Sequence, residues 1–177
     1  MARAPYNQRM KHVTLLFLLK DDTKEICLAM KKRGFGEGKL NGTGGKIEDG
    51  ETVLEAAARE AREEIGVEVA EDDMEHVATI AFSFDGKPDW GILGSVFLAT
   101  QWQGEPAESE EMAPAWYPID KIPYEQMWVD DEYWLPQVLA GDILQASFHF
   151  SNDGSAVLDK KVLTVGKQKK RGYGSEN

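Results

Sequence analysis

Residues 44–67 read Gly-Gly-Lys-Ile-Glu-Asp-Gly-Glu-Thr-Val-Leu-Glu-Ala-Ala-Ala-Arg-Glu-Ala-Arg-Glu-Glu-Ile-Gly-Val. The second half predicts a helix with marked ends. Thr52 followed three residues later by Glu55 is a capping-box signature, which makes Thr52 the N-cap. Gly66 follows Ile65 and can take the left-handed conformation that closes a helix. Between them Leu54, Ala57, Ala58, Ala61 and Ile65 recur at helical spacing as an apolar stripe. Glu60, Glu63 and Glu64 fall at i, i+3 and i+4, so they share a face beside that stripe.

Three carboxylates on one helical face repel one another unless a cation joins them. A solvated acidic face is the plain reading, and a hard divalent ion such as Mg2+, which takes oxygen ligands, is the functional one. The turn in front favours the ion. Gly44, Gly45 and Gly50 surround a tight loop whose carbonyls can add oxygen ligands, and Glu51 can reach back to brace the helix. Arg59 stands among these acids and is expected to orient a glutamate rather than to meet substrate.

The spacing from Gly45 through Glu51, Arg59-Glu60, Glu63-Glu64 and Gly66-Val67 resembles the Nudix box at every polar and glycine position. Ala61, where a bulkier aliphatic is usual, touches packing only. The resemblance implies a hydrolase that cleaves a nucleoside diphosphate linked to another moiety, using Mg2+, or Mn2+ in its place, on the motif's glutamates. Strands around two helices read as an α+β fold, which the resemblance sharpens to an α/β/α sandwich around a mixed β-sheet.

Composition sets bounds around that motif. The chain has 177 residues, 42% of them hydrophobic, enough for one domain with a substantial core. A net charge of -11 and a pI near 4.8 argue against a polyanion-binding surface, so no polymeric nucleic acid is expected. A small nucleotide stays compatible if bound cations invert the local field. Cys27 is the only cysteine, the longest apolar run (Val13 to Leu19) is too short to span a bilayer, and the first dozen residues lack a signal peptide's apolar core. A cytoplasmic, membrane-free monomer is the expectation.

Along the chain, residues 1–11 read as a flexible tail, 12–165 as a single domain, and 166–177 as a second flexible tail. His12 to Leu19 and Glu25 to Met30 read as a hairpin. Met74 to Phe84 and Trp90 to Thr100 read as strands around Asp85-Gly86-Lys87-Pro88, with Phe82 and Phe84 on one side of the sheet. Glu105, Glu108, Glu110 and Glu111 lie in a polar loop that reads as solvated. Ala115 begins a short strand, Glu132 to Ala140 a helix ended by Gly141 and disturbed by Pro136. A last hairpin joins Ile143 to Phe150 with Val157 to Val165.

Nearly the whole chain between the tails is similar to one Nudix subgroup, the oxidised purine nucleoside triphosphatases (8-oxo-dGTP diphosphatase). The matching runs are Met30 to Gly36, Asn41-Gly42, Gly44 to Lys46, Phe82 with Phe84, Glu110 to Met112, Met127-Trp128, Asp130-Asp131 and Tyr133-Trp134. By that resemblance Asn41, Asp130 and Asp131 read the base edge, and Phe35, Phe82, Trp128 and Trp134 wall the pocket. Thr14 and Lys31 lie near sugar and phosphates, Gly45 belongs to the substrate loop, and Glu111 joins Gly44, Glu60, Glu63 and Glu64 at the metals. The implied catalytic set is Glu64, Glu63, Glu60, Arg59 and Glu111, without a general base assigned among them. Two neighbouring carboxylates in an aromatic pocket cannot both ionise cheaply, so one pKa of the Asp130–Asp131 pair should rise. A protonated Asp donates and an ionised one accepts, so the pair can meet different purine edges. The alternative for Asp130 is a helix cap. Leu40, Thr43, Val129 and Gly91 depart from the subgroup pattern, Gly91 where a methionine is expected to wall the pocket. Other nucleotides as substrate, a non-catalytic nucleotide-binding module, or a purely structural ion site are the rival readings.

Overall fold

The computed structural model describes residues 10–169. β1 (Lys11–Lys20) and β2 (Glu25–Lys31) form the expected antiparallel hairpin, but they pair only at Leu19↔Ile26 and Lys20↔Glu25. Beyond that the strands part, and the chain from Leu40 to Lys46 enters between them. β3 (Leu40–Asn41) pairs with β2 at Ala29 and Met30. The same segment then bridges to β1 at Leu16↔Thr43 and Val13↔Lys46. Gly44 fits there because it has no side chain: a β-carbon on it would lie 1.8 Å from the Thr14 carbonyl oxygen.

α1 (Val53–Ile65) follows with the expected ends. The Thr52 hydroxyl accepts from the Glu55 amide at 3.1 Å, and the Glu55 carboxylate accepts from the Thr52 amide at 2.8 Å. Gly66 has φ 73° and donates to the Arg62 carbonyl. β4 (Met74–Phe84) and β5 (Lys87–Ala99) are antiparallel around a turn shorter than expected, Asp85-Gly86, so Lys87 to Asp89 belong to the strand. β6 (Met112–Pro118) runs along the whole of β2. α2 spans Asp131–Leu139, one residue earlier than read from sequence. Pro136 is tolerated because the carbonyl its missing N–H would have met belongs to exposed Glu132, where water can reach. β7 (Asp142–Phe150) and β8 (Val157–Lys167) form the last hairpin.

The strand order is β3-β2-β1-β5-β4-β7-β8, with β6 also on β2. β1 runs parallel to β5 and β4 parallel to β7, while the other pairs are antiparallel, so the sheet is mixed. Alternation along β1 divides two cores. Leu16 and Leu18 join Ala57, Ala61 and Ile65 of α1 on one side, and Phe17 and Leu19 join Trp134, Leu135 and Val138 of α2 on the other. This is the expected α/β/α sandwich. Among the described residues no helix is long and apolar enough to cross a membrane.

Both expected tails begin too far inward. Lys11 is already paired with Ile92, and Gly166 and Lys167 close β8 against Ile143 and Asp142. Gln168 is buried, its amide N–H2 donating to the Val138 and Asp142 carbonyls at 2.7 and 2.9 Å. Backbone and amide hydrogen bonds hold these residues, and such bonds leave no apolar pattern in sequence. The rest of both tails, residues 1–9 and 170–177, lies outside the described residues.

Candidate active site

The sequence of α1 places its small residues against the sheet and its acids against the loop. Ala57 and Ala61 are fully buried, so the helix lies close to β1, and Ala61 needs no bulk there. Glu64, on the neighbouring face, is 6% exposed and accepts from the Gly44 amide at 3.1 Å. Burial pushes its carboxyl up to about 8, and a hydrogen bond with the Glu60 carboxylate adds to the rise. The positive charge of Lys31 acts in the opposite direction, which places that lysine within electrostatic reach of Glu64.

Arg59 gathers the loop and the helix as expected. It donates to Glu51 at 2.6 and 3.1 Å, to Glu60 at 2.9 Å, to Glu63 at 3.3 Å and to the Lys46 carbonyl at 3.1 Å. Glu51 also accepts from the Glu48 amide at 2.9 Å, and its carboxyl is held below the usual range, first by the Arg59 hydrogen bond. Gly45 leaves room for this cluster. A β-carbon there would meet Glu60 Oε1 at 2.5 Å.

Glu111 is held by the basic loop that follows β2. Its side chain accepts from Arg33 at 3.3 Å, and its carbonyl accepts from the Lys32 amide at 2.8 Å. Among the described residues no three acidic, imidazole or thiol side chains already stand together as an ion site. The donor set nevertheless fits a hard divalent cation. Glu60 and Glu64 are all-oxygen donors forced together, and they share a hydrogen bond where an added positive charge would relieve their repulsion.

A cavity of about 560 Å³ connects this cluster to an aromatic chamber. Thr14, Lys31, Gly44, Gly45 and Glu64 line it, and so do Phe35, Asn41, Phe82, Trp128, Asp130, Asp131 and Trp134. Every substrate residue expected from the resemblance is therefore on one cavity. The Asn41 amide oxygen accepts from the Gly42 amide at 2.9 Å. Phe82 serves as core and wall together, stacking on Phe148 and Phe150 at 6.2 and 5.8 Å.

Asp130 and Asp131 are 2% and 3% exposed. Asp130 stands at the α2 N-cap position yet makes no side-chain cap hydrogen bond. Its carboxylate accepts instead from the Trp134 indole at 2.9 Å, which removes the capping alternative. Burial raises Asp130 to about 6 and drives Asp131 well above the carboxylate range, with the Asp130 charge adding to the effect on Asp131. Burial of two adjacent carboxyls thus favours the protonated form within the pair. Asp131 Oδ2 and Thr14 Oγ1 are buried with no hydrogen-bond partner, and both residues line the cavity. Unpaired buried polar atoms are costly, so they mark where a ligand's polar edge fits.

Sequence reasoning missed part of the wall. Trp90, Ile92, Gly94 and Val96 of β5 line the cavity, with Lys39 at its rim over the Trp128 ring at 5.2 Å. Strand alternation from Leu98 inward carries that signal. It also corrects the reading of Gly91, whose β-carbon would point at Met10, 3.3 Å away, rather than into the cavity. Leu40 and Val129 pack into the core on the α2 side, and neither they nor Thr43 lines the cavity.

Residues 10–138 match the family profile described as NUDIX domain. Over 129 residues the chain is 46% identical to an oxidized purine nucleoside triphosphate hydrolase of Danio rerio, covering 73% of this chain and 80% of that one. A protein of the same description from Mus musculus is 41% identical over 152 residues, 86% of this chain and 94% of its own. Among solved structures, a MutT protein from Bacillus halodurans superposes with a TM-score of 0.75 at 27% identity, covering 86% of this chain and 97% of that one.

Proposed function

Because the chain belongs to the NUDIX domain family, we propose that it hydrolyses oxidised purine nucleoside triphosphates, such as 8-oxo-dGTP and 2-hydroxy-dATP, to the monophosphate and pyrophosphate. This activity would cleanse the nucleotide pool. One observation carries the reading: the cavity that holds the proton-sharing Asp130–Asp131 pair in aromatic walls also holds Glu64 and Gly44 at the carboxylate cluster. The names of the relatives support the same substrate class.

Nudix hydrolases generally use divalent metal cations, and we assign Mg2+, with Mn2+ able to replace it. Glu60, Glu63, Glu64, Glu111 and Gly44 would hold the cation, which supplies charge neutralisation at the phosphates and acidifies bound water. The chain's own residues do the rest. Asp131 donates to an acceptor on the base edge while Asp130 and Asn41 meet the remaining edge groups. Phe35, Phe82, Trp128 and Trp134 exclude water around the rings, Thr14 faces the sugar, and Lys31 meets phosphate oxygen. Water attacks phosphorus, the bond to the pyrophosphate oxygen breaks, and a carboxylate of the cluster, Glu64 first once a bound cation would hold it ionised, accepts the water proton. Arg59 keeps Glu51, Glu60 and Glu63 in place without touching substrate. We place the protein in the cytoplasm as a single-domain monomer acting on free nucleotides, in keeping with its acidity and single cysteine.

Pyrophosphate release with Mg2+ from 8-oxo-dGTP, 2-hydroxy-dATP, dGTP and ADP-ribose tests this. The oxidised purines should be turned over with the highest kcat/KM, and Glu64→Gln should lower that turnover by about 10²- to 10⁴-fold. Faster hydrolysis of ADP-ribose or of dGTP would assign another substrate, and full activity in Glu64→Gln would remove Glu64 from the chemistry.

A further inference from the structure

Trp90 stands at the mouth of the cavity, 47% exposed, on the face of β5 that carries Ile92, Gly94 and Val96. Among the described residues three partners meet its ring. Phe35 and Phe84 meet it near edge-on, at 6.4 Å and 78° and at 6.1 Å and 72°, and the Lys87 ammonium stands 4.1 Å over it. These are the favourable geometries for aromatic pairs and for a cation on an indole face.

Phe35 is held quite differently. It is 57% exposed, between Gly34 and Gly36 with φ 81° and 85°, a backbone only glycine takes easily. The loop's hydrogen bonds close on itself and its base: Glu37 to Gly34, Lys39 to Gly36, Gly38 to Lys31. No strand fixes Phe35, so its ring is located by the rings it leans on, Trp128 at 5.1 Å and Phe84 and Trp90 at 6.4 Å each. Trp90 in turn lies on β5 two residues before Ile92, which pairs with Lys11 of β1 and with Phe82 of β4.

Resting on the function proposed above, we infer that Trp90 is a positioning residue for the base: a fixed post on β5 that sets Phe35 across the cavity mouth, so that two-ring bases are covered and shielded from water. The partners of Trp90 are Phe35, Phe84 and Lys87, none of them among the carboxylates at α1. Its effect therefore falls on binding of the base and leaves bond breaking alone. A purine offers more ring area to this closure than a pyrimidine does, so the effect is larger for purines.

The test compares wild type with Trp90→Ala, Trp90→Phe, Phe35→Ala and the Phe35→Ala/Trp90→Ala double variant. KM and kcat are measured on 8-oxo-dGTP and dCTP, and metal-free binding of 8-oxo-dGMP is followed by calorimetry. Trp90→Ala should raise KM and Kd for the purine by about two- to twelve-fold, the range of one aromatic pair, with kcat and melting temperature unchanged. Trp90→Phe should restore most of the loss. The double variant should be no weaker than Phe35→Ala alone, because Trp90 acts through Phe35. Unchanged purine KM in Trp90→Ala, a fall in kcat alone, equal losses on dCTP, or additive losses in the double variant would each overturn the inference. A wild type that turns over no purine triphosphate is a separate result: it removes the proposed function itself, and this inference with it.

Discussion

Adding one methyl group at Gly45 should disable the carboxylate cluster without straining the backbone, since Gly45 is not among the glycines with positive φ. Its β-carbon would lie 2.5 Å from Glu60 Oε1 and 2.8 Å from the carboxyl carbon. Heavy atoms rest at about 3.5–4.0 Å, so Glu60 must retreat by roughly 1 Å. Glu60 Oε1 is also the atom that accepts from Arg59 at 2.9 Å, and the two side chains are only 15% and 18% exposed. Solvent therefore screens the pair little, and losing one charge-assisted hydrogen bond should cost about 1.5–3 kcal/mol. For a domain of this size each kcal/mol lowers Tm by about 2–4 °C, so Gly45→Ala should melt about 3–12 °C below wild type in chelator. In turnover assays it should need more divalent cation for half-maximal rate, because Glu60 is displaced from the place where it would hold the ion. A melting curve superimposable on that of wild type, together with an unchanged cation titration, would refute the reasoning.

Thr52→Ala removes the hydroxyl half of the capping box and should cost about 1 kcal/mol, read as a small fall in Tm, with kcat/KM unaltered. Thr14→Val deletes a buried hydroxyl that has no partner, so stability should hold or rise, while nucleotide affinity measured by calorimetry should fall about two- to twelve-fold if that hydroxyl meets the ligand. Asp131→Asn addresses pH. Folding raises the Asp131 pKa, and that of Asp130 to about 6, so the folded protein binds more protons than the unfolded chain above the ordinary Asp range near 3.9. The stability contributed by the pair must then fall as pH rises from about 4 into that window. Chemical denaturation across this range should show a shallower decline in Asp131→Asn than in wild type. Identical slopes would mean that the pair shares no proton.

The chemistry of α1 was legible in the chain because every determinant is local. Thr52, Glu55 and Gly66 set the helix ends within single turns, and a 3.6-residue repeat puts Glu60 and Glu64 on one face whatever the rest of the protein does. The hairpins were legible for the same reason, through alternation and turn residues around Gly86 and Gly154. The aromatic wall of the cavity was legible only through family resemblance, and Trp90 escaped even that.

What tertiary structure alone decided is which of these local pieces share one cavity. The parting of β1 from β2 after Leu19↔Ile26 lets Asn41, Gly44 and Gly45 enter beside Thr14, and nothing near either strand encodes that split. Sequence places Glu64 on a helical face but does not say that its carboxyl will be buried against Gly44. Nor does it turn the Asp130 carboxylate from helix cap to acceptor of the Trp134 indole. Burial is a property of the assembled layers, and burial is what shifts the acids' protons and leaves the Asp131 oxygen waiting for a partner.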